Sequence, residues 1–472
     1  MRILQSLIFY PRGGSAHVAR AIAREAQRGG HEIQTVTGSL GRPGDATHAA
    51  TFYAGVPLHT MDYEPALRDF EAGRDPMRSS QPFHPSYEPR GDVPDRLFAS
   101  VSPELTRHSE KAWAELYRTV AVGFEPDVIH LHHLTPQMIA VKNVFPEKRV
   151  VAHLHGTELK MLDLIDSKPD IDERLLQYAE FWHDYIVEAA RCADRLVVVS
   201  GSDRHHASRL LGVSEELITV IPNGVDTEIF APVQQEDVEQ RNQVFRRSLV
   251  DDPRGSDESG EIGSISYENA DLERSGLLEH NAVILGYVGR FTEVKRVPLL
   301  LDAFARLSKK HSQCVLVLFG GFPGEWEGEH PAAIVRRTEQ KNVYFAGWHT
   351  QQELAEVMPR LDVLVLPSVN ESFGLVLVEA MASGTAVVAV DRGGPSSIIV
   401  SSGPDANGWL VEPDNALALE SALAEAVSNP LGRRLKGVAG RRRAIEKYSW
   451  TSSFDRVIDV YQSLAIPVSV LE

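Results

Sequence analysis

Short apolar runs of strand length recur along the chain, each followed by a stretch whose apolar positions return every three to four residues. The run RILQSLIFY leads through a PRGGS turn into AHVARAIAREAQRGG, where Val18, Ala19, Ile22, Ala23 and Ala26 share a helical face before a Gly-Gly stop. Strand HEIQTVTG completes a βαβ unit, and DVIHLHH, RVVAHLHG and DRLVVVS continue the alternation as apolar strands of the parallel-sheet type. After VIPNGVDTEIF the periodicity fades, and a second series then runs through AVILGYVGR, CVLVLFGG, NVYFAG, DVLVLPS and TAVVAVD. The pattern predicts an α/β protein of two doubly wound, Rossmann-like domains facing a cleft, with ligands beyond the carboxyl ends of the strands. The domains are expected at residues 1–230 and 281–452, with 231–280 an inserted linker region and 69–100 an irregular interruption of the first.

A chain of 472 residues fits two hydrophobic cores better than one. Its net charge of −17 argues against a nucleic-acid binder and against general attraction to anionic membranes. No apolar run approaches the roughly 18 to 20 residues that span a bilayer, so no transmembrane segment is expected. The N-terminal run flows into a glycine turn without a small-residue cleavage site, which reads as a first strand of a cytoplasmic protein. Cys192 and Cys314, the two cysteines, lie beside apolar runs and read as reduced core thiols.

The chemistry concentrates in NESFGLVLVEAMASG, where Glu371 and Glu379 stand eight positions apart. Helical rise would separate their origins by about 12 Å, too far for a glycosidase pair, whose carboxyl groups lie about 5 to 9.5 Å apart. Two grips on one extended ligand is the reading that follows, with a diphosphate on the helix start that SFGL opens. A solvated Glu379 and a capping Glu371 is the alternative from spacing alone. Arg290 and Lys295, after strand AVILGYVG, offer a fork and a point charge suited to that diphosphate. Gly13 and Gly14 precede a helix and permit close backbone approach, yet they do not form G-x-G-x-x-G, which disfavours a dinucleotide oxidoreductase.

Gly-Arg-x4-Lys followed by PSVNESFGLVLVEAMASG resembles the donor site of retaining GT-B glycosyltransferases, specifically glycosyltransferase family four. ADRLVVVSGSDRHH, VIPNGVDTEIF, NVYFAGW and RRRAIEKYSW resemble the same family. The resemblance implies that residues 1–230 bind the acceptor and 281–452 the nucleotide sugar. It also implies that a last helix, at about 453–472, packs back on the N-terminal domain. Arg290 and Lys295 would hold the donor phosphates, Glu379 the ribose, and Glu371 the transferred sugar. Phe373, Gly374 and Leu375 would offer amides, Gly13 and Gly14 would contact donor and acceptor, and His155, in HGTEL, would stand beside the sugar as a hydrogen-bonding group.

His130, His132, His153 and His155 occur in pairs two residues apart, each on one strand face, close enough for zinc to be considered. No metal is expected, because no Asp or Glu cluster joins them and strand-end imidazoles commonly bond to backbone. The expected activity is retaining transfer from a nucleotide diphosphate sugar, a UDP-sugar favoured, to a hydroxyl of a soluble small molecule, with no further cofactor. The alternatives are a nucleotide-sugar epimerase or phosphorylase on the same fold, a non-catalytic nucleotide-sugar-binding protein and a zinc hydrolase. A homo-oligomer is left open. Two departures from the family pattern stand out: Ser397 in GGPSSII where relatives often carry an acid, and FGGFPGEWE without a Gly-Asp-Gly-like turn.

Overall fold

The computed structural model describes residues 1–88, 93–167, 172–233, 237–321 and 326–465. Parts of both expected insertions (89–92 and 234–236), of the FGGFPGEWE turn (322–325) and of the last expected helix (466–472) lie outside the described residues. The chain divides into two compact units, one of residues 1–223 and 450–472, the other of residues 224–449.

The first unit is built on seven parallel strands: β1 (Arg2–Leu7), β2 (Glu32–Ser39), β3 (Leu58–Asp62), β4 (Val128–His132), β5 (Arg149–His153), β6 (Arg195–Val198) and β7 (Ile218–Val220). Their order is β3-β2-β1-β4-β5-β6-β7, so the winding reverses between β1 and β4. Apolar residues on both faces of β1 and β4 are buried because helices cover the sheet on either side. Helix Gly13–Arg28 presents Val18, Ala19, Ile22, Ala23 and Ala26 to this core, the face that the spacing predicts. Helix Trp450–Ala465 packs on it, burying Phe454, Val457 and Tyr461 in the same core. Thr451 donates to the Glu25 carboxyl (3.1 Å) and Ser453 to the Pro222 carbonyl (2.9 Å).

The second unit repeats the plan with β8 (Val283–Gly289), β9 (Cys314–Gly320), β10 (Val343–Gly347), β11 (Val363–Leu366), β12 (Ala386–Val390) and β13 (Gly408–Val411), all parallel. The order β10-β9-β8-β11-β12-β13 puts the reversal between β8 and β11. A crevice opens at such a reversal, because the connections leaving the two neighbouring strands turn to opposite faces.

Residues 231–280 belong to this second unit and are not a separate linker. They hold helix Val238–Arg246, a π-helical turn Arg247–Asp251 and helix Asn269–Arg274, with Phe245, Leu249, Leu272 and Leu277 buried. Much of the anchoring is polar, which explains the weak apolar period: Arg241 donates to the Glu279 carbonyl (2.6 Å), and Asn242 to that of Leu278 (2.9 Å). The stretch then runs along β10, where the Phe345 amide donates to the Tyr267 hydroxyl (2.9 Å) and Arg254 bridges Gly347. Arg254 also pairs with Glu353 (2.9 Å). Burial would raise the Glu353 pKa, but hydrogen bonds from Thr350 and Arg254 outweigh it and hold the carboxyl down at about 2.

Gly347 has φ +77, and a Cβ there would lie 2.0 Å from the Arg254 carbonyl oxygen. Gly347→Ala is therefore expected to destabilise the second unit by about 2 kcal/mol or more. A thermal-shift measurement should show a lowered midpoint; an unchanged one would contradict this docking of the 231–280 stretch.

Candidate active site

In the second unit the crevice between β8 and β11 is lined by the two loops that leave those strands. The β8 loop carries Arg290 and Lys295 and ends at helix Val297–Lys310; the β11 loop carries Glu371 and ends at helix Leu375–Ala382. The loops are tied to each other: the Val294 carbonyl accepts from the Val369 amide (3.0 Å) and the Ser368 hydroxyl (3.2 Å). Across this joint Lys295 Nζ donates to Glu371 Oε2 at 2.5 Å, with both side chains about four-fifths buried. Arg290 lies in the same loop, its carbonyl accepting from the buried Tyr287 hydroxyl at 2.6 Å. Burial, and then the neighbouring Glu371 charge, push the Tyr287 pKa upward, so it stays a neutral donor.

Helix Leu375–Ala382 begins after Gly374, whose φ of +101 sets off the preceding loop. Glu371 is therefore in that loop, and the separation of Glu371 from Glu379 is not set by one helix, contrary to the spacing estimate. Phe373, Gly374 and Leu375 stand at the helix start, where amides lack intrahelical acceptors and the dipole is positive. Glu379, one turn in, accepts from Gln351 Nε2 at 3.3 Å. Loss of water pushes its pKa up to about 7, opposed by the Gln351 hydrogen bond.

Three glycine contacts fix these loops. Gly393 has φ +66 and a Cβ there would be 2.6 Å from the Glu371 carbonyl oxygen; a Cβ on Gly394 would be 2.2 Å from that of Phe373. The Gly394 amide donates to the Glu371 carbonyl (2.8 Å). Gly320, φ +112, approaches Gly289 as closely, 2.2 Å from Cβ to carbonyl oxygen, just before Arg290. Gly320, Gly393, Gly394 and Gln351 escaped the sequence reading; the Gly-Gly pair before Pro395 was the available signal, and Gln351 left none.

In the first unit, Gly13 (φ +65) and Gly14 open helix Gly13–Arg28, and a Cβ on Gly13 would meet open space. Arg12, just before them, pairs with Asp95 at 2.6 Å and with the Tyr10 hydroxyl at 3.1 Å. Asp95 comes from the 69–100 interruption, which thus reaches the glycine loop; Tyr87, from the same stretch, donates to the Leu134 carbonyl (2.8 Å). His155 follows β5, and its Nε2 lies 3.0 Å from His132 Nδ1. Burial, then the neighbouring imidazoles, hold the pKa of His155 well below its ordinary value, so it is neutral at pH 7. His132 and His153 are lowered in the same way, and burial takes His130 to about 3.

Residues 12–229 match the model for Glycosyltransferase Family 4 and residues 269–448 that for Glycosyl transferases group 1. Relatives in sequence include the alpha-maltose-1-phosphate synthase of Mycolicibacterium smegmatis, 30% identical over 59% of this chain and 65% of that protein, just under two thirds of its length. The D-inositol 3-phosphate glycosyltransferase of Xylanimonas cellulosilytica is 29% identical over 95% of this chain and 91% of that protein. Solved structures with the same fold include the sucrose-phosphate synthase of Thermosynechococcus elongatus, with a TM-score of 0.66, 19% identity and 98% of each chain covered. Another is Anabaena HepE in complex with UDP and glucose, with a TM-score of 0.64, 16% identity and coverage of 98% of this chain and 100% of that one. The protein is a glycosyltransferase of the GT-B fold. It belongs to glycosyltransferase family four. Among the described residues no helix is long and apolar enough to cross a membrane.

A methyl group on Gly394 must displace the Phe373 carbonyl and with it the loop carrying Glu371. Gly394→Ala is expected to lower kcat about 100-fold, the scale of a misplacement near 1 Å, while circular dichroism stays native; undiminished turnover would show that the glycine contact does not position the loop.

Proposed function

We propose that the protein moves a sugar from a nucleotide diphosphate sugar, a UDP-sugar favoured, to a hydroxyl of a soluble small-molecule acceptor, with retention at the anomeric carbon. The observation that carries this reading is the Lys295–Glu371 contact at the β8/β11 reversal, beside a helix start. An anionic diphosphate suits Lys295, Arg290 and the amides of Phe373, Gly374 and Leu375. Glu371 then meets the sugar hydroxyls and Glu379 the ribose. Gly13 and Gly14 approach donor and acceptor, and His155 donates or accepts a hydrogen bond at the transferred sugar, roles that rest on the family resemblance.

In the proposed reaction the bond from the anomeric carbon to the phosphate oxygen breaks. The acceptor oxygen bonds to the same face, and its proton passes to the departing phosphate. Negative charge grows on that phosphate, so the preorganised cations and amides stabilise the transition state more than the ground state. The names of the sequence relatives, an inositol 3-phosphate glycosyltransferase and a maltose-1-phosphate synthase, support a small polar acceptor. The UDP complexes of Anabaena HepE support a uridine donor.

Lys295→Ala and Glu371→Ala should each lower kcat by about 100- to 1000-fold with the fold intact, measured by mass spectrometry over a panel of nucleotide sugars and acceptors. Full activity in either variant refutes the assignment. Donor incubated alone should stay unchanged, whereas an epimerase would convert it and a mere binding protein would turn over nothing in any mixture.

Glu379 adds a pH dependence. A carboxylate accepts the ribose hydroxyls better than a carboxylic acid, and its folded pKa is raised to about 7. UDP-glucose should therefore bind more tightly as pH rises from about 6 to about 8. Glu379→Gln should flatten that calorimetric profile; an equally steep one would remove Glu379 from the donor site.

A further inference from the structure

Among the described residues, His130 and His132 on β4 and His153 at the end of β5 form a fully buried imidazole cluster that the glycosyl-transfer reading does not use. We propose that these three side chains bind one zinc ion, or another divalent ion that favours imidazole, as a structural site inside the first unit.

Parallel pairing sets His132 beside His153 in register, and the period of two brings His130 to the same face. One nitrogen from each of the three rings lies within 4.8 Å of the other two. His130 Nε2 and His153 Nδ1 are 3.3 Å apart. That is long for a hydrogen bond between rings, and it is about the edge of a tetrahedron whose metal–nitrogen bonds are about 2.0 to 2.1 Å.

Partner usage points the same way. Among the described residues the three imidazoles bond to side chains, not to the backbone carbonyls that strand-end histidines commonly use. His130 Nδ1 meets the Tyr461 hydroxyl at 2.6 Å, and His132 Nδ1 meets His155 Nε2 at 3.0 Å. These are the contacts that orient a ligand ring through its other nitrogen. His132 Nε2 and His153 Nε2 are buried and have no hydrogen-bond partner among the described residues. Leaving such atoms unsatisfied is costly, and a metal at His132 Nε2 removes one of those penalties. Neutral imidazole is a preferred donor for zinc, copper and nickel. Three protein ligands leave a fourth tetrahedral position for water. Metal on His132 Nε2 would place the proton on Nδ1, so that His132 donates to His155.

The test uses the full chain with its affinity tag removed, stripped with chelator and then equilibrated with zinc chloride or cobalt chloride. One zinc per chain by mass spectrometry, and the visible spectrum of tetrahedral cobalt, are expected. Tyr461→Phe, which keeps the ring and loses the orienting hydroxyl, should weaken zinc binding about 10- to 100-fold. His153→Asn should abolish stoichiometric binding, while a His205→Asn, His206→Asn double variant of the surface histidines should retain it. Substoichiometric zinc in the wild-type chain, an octahedral cobalt spectrum, or equal binding by His153→Asn overturns the proposal. Should His153→Asn fail to fold, the wild-type cobalt spectrum and the Tyr461→Phe affinity still decide.

Discussion

The site in the second unit depends on close packing of backbone against backbone at positions where no side chain fits. Gly320 against Gly289 sets the β8 loop, and Gly393 and Gly394 against Glu371 and Phe373 set the β11 loop. With both loops held by main chain and joined through the Val294 carbonyl, Lys295 and Glu371 meet at 2.5 Å. Opposite charges this close and mostly buried hold each other in place at little further cost in side-chain entropy, which is the condition for a preorganised site. A ligand that carries both an anion and hydroxyls can replace that mutual contact with two of its own.

Charge is handled differently at the two glutamates. Glu371 has a cation at contact distance. Glu379 accepts from the Gln351 amide with no cation beside it among the described residues, so loss of water dominates and pushes its carboxyl up to about 7. A carboxyl poised in that way is a weak structural element and a responsive ligand, because small changes in its surroundings move it between acceptor-only and donor states.

Much of this was legible in the chain. Five of the six strands of the second unit can be read from their apolar runs, since parallel strands covered on both faces admit few polar residues, while β13, the short edge strand Gly408–Val411, was missed. Arg290, Lys295, Glu371 and Glu379 stood out because polar residues next to such runs have few structural reasons to be there. What escaped depends on long-range contact. Gln351 is an ordinary polar residue at the start of a helix until folding brings it to Glu379. Asp95 looks like part of an irregular acidic stretch until it reaches Arg12. The 231–280 stretch defeats pattern reading because buried hydrogen bonds of Arg241 and Asn242 replace part of the apolar period. The helix arithmetic applied to Glu371 failed at a single residue, Gly374, whose left-handed backbone interrupts the regular rise.

The 231–280 stretch has a role beyond filling space. β10 is the outermost strand of its sheet, and a terminal strand exposes a row of free amides and carbonyls that can recruit another chain. Arg254 and Tyr267 engage that row from within the same molecule, through the bridge to Gly347 and the hydrogen bond from the Phe345 amide. What looks like a dispensable polar interruption thus works as a guard rail. Trimming it to shorten the protein would uncover a sticky margin, and the outcome to anticipate is clumping during expression more than any change in chemistry.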